Sequence, residues 1–155
     1  MLEAVATQSR PPDELLVADD GSGPPTAQLI EQHAARAAYP VRHVWQPHQG
    51  FRAGRVRNAA IARARCEYLV LLDGDMVVHP RFIADHLSLA RGGYYSQGTR
   101  IPLDAAATTR LLLPGSSLPG PLSPGLGGAR RSYSVRQPAL ARALREVANG
   151  FIAVK

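Results

Sequence analysis

Two acidic turns hold the residues best suited to chemistry. Asp73-Gly74-Asp75 follows the apolar run Tyr68-Leu69-Val70-Leu71-Leu72, and Asp19-Asp20-Gly21-Ser22 follows Leu15-Leu16-Val17-Ala18. Two carboxylates one residue apart repel each other unless a cation sits between them. Mg²⁺ or Mn²⁺ suits such a pair, because a hard cation takes one or two carboxylates and keeps sites for water and phosphate oxygens. Gly74 is expected to give that turn its backbone freedom. The bland alternative is that Asp73 and Asp75 bond only the backbone of their own turn, as Asp does in many loops.

The elements that must position these turns follow from the spacing of apolar residues and breakers. Helical spacing over residues 2–8 ends at Pro11-Pro12, and residues 14–18 form a short apolar strand entering a turn. Residues 26–38 are expected to form a helix, with Thr26 as its cap and Leu29, Ile30, His33, Ala34 and Ala37 on one face. Tyr39-Pro40 ends it, and residues 41–45 form a second strand. A loop over 46–54 leads to an Ala-rich helix over 55–64, a third strand over 68–72 and a helix over 80–90. A further strand is expected over 94–100. Alternating strands and helices imply an α/β fold with a parallel sheet, whose ligand sites lie beyond the carboxyl ends of the strands. Both acidic turns stand at such ends. Residues 113–128 are rich in Pro, Gly and Ser without periodicity and are expected to be a functional or mobile loop. A short helix is expected over 140–147, and residues 150–155 look like the start of a strand.

Composition narrows the class. A chain of 155 residues with 45% apolar content fits one domain with a genuine core. The net charge of +6 is carried almost wholly by arginine, since the only lysine is Lys155. Arginine grips phosphate bidentately, so an anionic partner is plausible, although a GC-rich genome would produce the same bias. The charges are scattered and not interleaved with aromatics, which argues against nucleic-acid binding. A single cysteine, Cys66, permits no internal disulfide or zinc-spaced pair and fits a reducing cytoplasm. It is expected to be buried and inert. The start of the chain lacks a signal peptide's basic and apolar stretches, and the run 68–72 is too short to span a bilayer.

Order and spacing of several segments together resemble the family-2 inverting glycosyltransferases of GT-A fold. The resemblance is carried by residues 12–22, by Gly54-Arg55-Val56-Arg57-Asn58 through Ala64, and by Glu67 through Asp75. It continues in Val77-Val78-His79-Pro80-Arg81-Phe82-Ile83. The phrase Gln49-Gly50-Phe51-Arg52 before Arg57-Asn58 is similar to the chondroitin-polymerase-like branch. It implies a Rossmann-like nucleotide-diphospho-sugar transferase sheet with flanking helices, incomplete in this chain. Residues 1–110 would be the nucleotide-sugar-binding part, and 111–155 a loop and the start of the acceptor-side half. Asp19 and Asp20 would contact base and ribose, Arg57 and Asn58 would lie beside the nucleotide at a helix start, and Asp73 and Asp75 would reach the ribose and a Mn²⁺ or Mg²⁺ on the diphosphate. Asp75 would be the direct metal ligand.

The donor implied is a nucleotide-diphosphate sugar, with uridine diphosphate favoured. The acceptor would be a saccharide or a lipid-linked one, in surface polysaccharide or lipopolysaccharide synthesis. The expected location is cytoplasmic, without a membrane span and with peripheral contact at the inner face of the membrane if the acceptor is lipid-linked. Arg52 and Arg55 are candidate phosphate holders or solvated charges, His79 is a loop histidine or a metal neighbour, and Trp45 is core or a sugar platform.

Two departures from the family stand out. The chain starts inside the helix that the family's first strand precedes. No Glu-Asp pair follows Asp75 to supply a general base, and neither Asp104 nor Glu146 sits in a matching context. The chain is therefore expected to be truncated at both ends and inactive alone. A catalytically inactive nucleotide-sugar-binding fragment is the alternative. A nucleotidyltransferase is disfavoured, because no Gly-rich, Lys-containing N-terminal loop is present.

Overall fold

Two short parallel strands set the frame. β1 (Leu15–Asp19) pairs with β2 (Val41–Trp45) in the register Leu15↔Val41 through Asp19↔Trp45. The computed structural model describes residues 1–98 and 102–113. The chain divides into two units, Met1–Ala84 and Asp85–Lys155.

In the first unit the pleat decides which residues share a face. Leu16, Ala18, Arg42 and Val44 alternate onto one face, and Val17, Asp19, His43 and Trp45 onto the other. α3 (Ala53–Ile61) covers the first of these faces. Its Val56 and Ala60, four residues apart, join Val44 in a small buried cluster flanked by Leu16 and Ala59. Between the strands runs α2 (Pro24–Ala34), which contacts β2 and buries Ile30 and His33. The buried His33 ring is satisfied by the Tyr39 hydroxyl at 3.2 Å.

Two polar side chains tie distant segments of this unit together. Glu14 accepts the Arg65 N–H at 2.6 Å and pairs with Arg42, which also donates to the Arg63 carbonyl at 2.8 Å. The start of β1, the start of β2 and the exit of α3 are thereby joined. Gln8, just after α1 (Leu2–Ala6), donates to the Ala4 and His79 carbonyls, both at 2.9 Å, and accepts the Ile83 N–H at 3.0 Å. That amide closes the beginning of the chain onto residues 79–83.

Several expectations are corrected. Residues 68–72 form no strand: Leu69, Val70 and Leu71 are 40%, 37% and 62% exposed. An apolar run becomes a strand only where another segment offers its edge, and among the described residues β1 pairs with β2 alone. Residues 94–98 are likewise irregular, and follow a turn in which the Tyr94 N–H reaches the Arg91 carbonyl at 3.2 Å. The Arg91 guanidinium lies 4.5 Å from the Tyr94 ring centre. α2 begins at Pro24 with Gly23 as its cap, so Thr26 sits inside the first turn. Two prolines with preset φ start a helix earlier than a threonine cap can. Leu29, expected on the buried face, is 55% exposed.

α4 (Phe82–Leu89) falls within the expected helix. The second unit holds a further helix, α5 (Ala105–Leu112), beyond those the sequence pattern predicts. Asp104 caps it, its carboxylate accepting the Ala107 N–H at 2.7 Å. The features expected over 114–155, including Glu146, lie outside the described residues. Among the described residues no helix is long and apolar enough to cross a membrane.

Candidate functional site

The turn after β1 is built by its own carboxylates. Asp19, only 6% exposed, accepts the Ser22 N–H at 2.8 Å on Oδ1 and meets His43 Nε2 at 2.9 Å on Oδ2. Asp20 turns toward the loop that follows β2. One of its oxygens accepts the Gln46 side-chain amide and the other the Arg52 N–H. The Gln46 N–H donates to the Asp19 carbonyl at 3.1 Å, and Gln46 also reaches the Arg52 carbonyl. Residues 46–52 are therefore folded around Asp20 as a lip on the carboxyl end of the sheet.

Gly21 makes this contact possible. Its φ is +97°, and a Cβ there would stand 2.4 Å from the His48 backbone nitrogen. Gly74 has no such duty: its φ is not in the left-handed region and a Cβ would meet nothing within 4 Å. The expected need for backbone freedom thus belongs to the first acidic turn and not the second.

Electrostatics follow the bonds. Burial works to raise the Asp19 pKa, but the Ser22 N–H and hydroxyl and the His43 ring outweigh it and hold the carboxyl below its ordinary range. The Gln46 amide does the same for Asp20 against some desolvation, helped by the Arg52 N–H and the charges of Arg52 and His48. The Arg65 N–H is the main cause holding Glu14 low. Groups with depressed folded pKa values stabilise the fold above their unfolded pKa, near 4, and lose that contribution as pH falls through the lowered folded value. Urea midpoints measured from pH 6 to pH 2 should stay level at first and then fall below about pH 4. A level profile to pH 2 would contradict these assignments.

The other candidates are placed as follows. Arg57 and Asn58 lie in the middle of α3, not at its start, and are exposed. Arg52 stands at the head of α3. Its guanidinium is turned back on its own loop, donating to Gln49 Oε1 at 2.8 Å and to the Pro47 carbonyl. His79 accepts the Arg81 N–H at 3.1 Å on Nδ1, a loop role. Asp73 and Asp75 are exposed, and the turn between them is closed by the Met76 N–H on the Asp73 carbonyl at 3.2 Å. Among the described residues no group of three or more His, Cys, Asp or Glu side chains gathers as a ready-made metal cage.

Two side chains expected in the interior are at the surface. Cys66 is exposed, its thiol pushed up by local desolvation and by the Glu14 carboxylate. Trp45 is 51% exposed, with its indole N–H donating to the Ser22 carbonyl at 3.1 Å.

Comparison with known proteins places this arrangement. The model of glycosyl transferase family 2 matches residues 1–110. The chain belongs to that family. Its parallel pair of strands with flanking helices is an incomplete version of the family's GT-A fold. The hyaluronan synthase of Pasteurella multocida is 31% identical over 77 residues, which are 50% of this chain. The chain spans only 8% of that relative's length. No solved structure matches. Within the family's matched region lie both acidic turns and the whole of α3.

Proposed function

We propose that this chain forms the donor-binding part of a glycosyltransferase that takes a sugar from uridine diphosphate and passes it to a saccharide or lipid-linked acceptor. The observation that carries the reading is the braced turn Asp19-Asp20-Gly21-Ser22 at the carboxyl end of parallel strands, in a chain of glycosyl transferase family 2. Its acidic groups address base and ribose. Arg57 and Asn58 lie beside the nucleotide, and Asp73 and Asp75 lie toward the ribose and diphosphate. Asp75, with Asp73, would hold a Mn²⁺ or Mg²⁺ ion, which supplies positive charge for the departing diphosphate. In the transfer an acceptor oxygen bonds to the anomeric carbon as the bond to the diphosphate oxygen breaks. The electron pair leaves with the diphosphate, whose charge Arg57 meets, so that no proton is needed there. The acceptor's proton goes to a base not assigned among residues 1–113. Synthesis of a surface polysaccharide or lipopolysaccharide, at the cytoplasmic face, is the setting this chemistry suits.

A second reading is nucleotide-sugar binding without transfer. It is favoured by one observation: Asp104, a carboxylate downstream of Asp75, is engaged as the cap of α5. Product formation from a panel of uridine-diphosphate sugars separates the two readings.

The donor reading is tested by calorimetry with uridine and uridine diphosphate, with Mn²⁺ and then with chelator. Asp75→Asn should weaken uridine diphosphate about tenfold or more, the loss expected for one charge-assisted contact, and leave uridine little changed. Asp20→Asn should weaken uridine as well. Equal affinity for uridine diphosphate with and without metal would remove the metal role of Asp75.

A further inference from the structure

We infer that Trp45 is the stacking platform for the nucleobase of the donor, and so a determinant of nucleotide affinity. The inference rests on the donor reading above and adds a residue to it. Trp45 ends β2 directly opposite Asp19 in the parallel register, on the same face of the sheet as Asp19 and His43. Its chain neighbour Val44, on the opposite face, is 2% exposed and belongs to the core, whereas Trp45 is 51% exposed. The core therefore has little use for this ring.

The ring is also held in place. Its indole N–H, the only hydrogen-bonding group it has, donates to the Ser22 carbonyl at 3.1 Å. With that donor satisfied, what Trp45 offers to a ligand is a fixed aromatic surface at the edge of the 19–22 turn. An unanchored surface Trp pays rotamer entropy to bind, whereas this one, half of it open to solvent, is already anchored.

The carboxylates beside it point to a flat, weakly polar occupant. Asp19 already serves Ser22 and His43, and Asp20 already serves Gln46 and Arg52. Much of the turn's hydrogen-bonding capacity is spent on the protein itself. A base laid on the indole needs only the remaining lone pairs for orientation, and takes its affinity from stacking. Stacking tolerates any base, so Trp45 would supply affinity, and the remaining carboxylate capacity the choice of base.

The test uses the chain's single tryptophan as its own reporter. Indole fluorescence is followed while uridine, uridine monophosphate and uridine diphosphate are added to the unmodified chain, and binding is measured in parallel by calorimetry. All three should quench the emission with midpoints that match the calorimetric affinities. Trp45→Phe should bind uridine within about threefold of the parent, and Trp45→Ala about tenfold or more weaker. Calorimetric binding without any change in emission would overturn the platform while leaving the donor reading intact. Quenching by uridine-diphosphate sugars but not by uridine would assign the ring to the sugar and also overturn it. No binding of any of these nucleotides would remove both.

Discussion

Gly21→Ala should be the most damaging small substitution in the first unit. Gly21 combines φ +97° with a neighbouring backbone, so that an added Cβ would stand 2.4 Å from the His48 nitrogen and 2.5 Å from its Cα. Left-handed backbone alone costs an alanine about 1–2 kcal/mol. The contact adds to this, because the obstacle is main chain and cannot rotate away. Relief requires the 46–52 loop to retreat, and that loop is fastened to Asp20 through Gln46 and Arg52. A loss of about 3 kcal/mol or more is expected, in the range of substitutions that break a specific backbone requirement. Gly74→Ala is the matched control, and should shift stability by no more than about 0.5 kcal/mol because its site is open. Urea denaturation of the two variants beside the parent measures the contrast. If Gly21→Ala were as stable as Gly74→Ala, the close approach of turn and loop would be wrong.

The same pair of glycines shows how far the sequence can be read. Both follow an aspartate in an acidic turn, and residue type cannot say which one the backbone needs. The answer depends on His48, 27 positions further on, and so on tertiary structure. β1 was legible as the short apolar run that ends in the turn Asp19-Asp20-Gly21, and β2 as the five residues Val41 to Trp45 between Pro40 and Pro47. α3 was legible from its alanines, since Val56 and Ala60 repeat at helical spacing. Residues 68–72 were not legible in this way, for the opposite reason. Apolarity says that a segment would pair if it could, and pairing needs a second edge. Trp45 and Cys66 were expected inside because their types usually are, yet Trp45 stands at the last position of β2 and Cys66 in the irregular segment after α3, where cover runs out. The cap at Asp104 is present in the sequence as Asp followed by three alanines, a helix start that residue type alone does not separate from a catalytic carboxylate.

Asp19 is the residue whose part in the fold and in the site must be separated. Its type and place at a strand end mark it as a ligand contact, and the bond to His43 was hidden because it joins positions 24 apart across the parallel register. Asp19→Ala would leave the Ser22 N–H and the His43 ring without this partner at a position only 6% exposed. Each group so abandoned costs about 1–3 kcal/mol, and a total of about 2–4 kcal/mol is expected. Asp19→Asn should behave differently. An amide of the same shape still accepts the Ser22 N–H through its oxygen, and its NH₂ can donate to Nε2 of a neutral His43 in the other tautomer. Stability should then stay within about 1 kcal/mol of the parent. If the carboxylate also addresses the base, Asp19→Asn should bind uridine about tenfold more weakly while remaining folded. A double-mutant cycle of Asp19→Ala with His43→Ala, read by urea denaturation, should return a coupling of about 0.5–3 kcal/mol for the pair. Additive losses would mean that the two side chains do not support each other. Unchanged uridine affinity in Asp19→Asn would confine Asp19 to the brace, and leave recognition of the nucleotide to Asp20 and the surfaces around it.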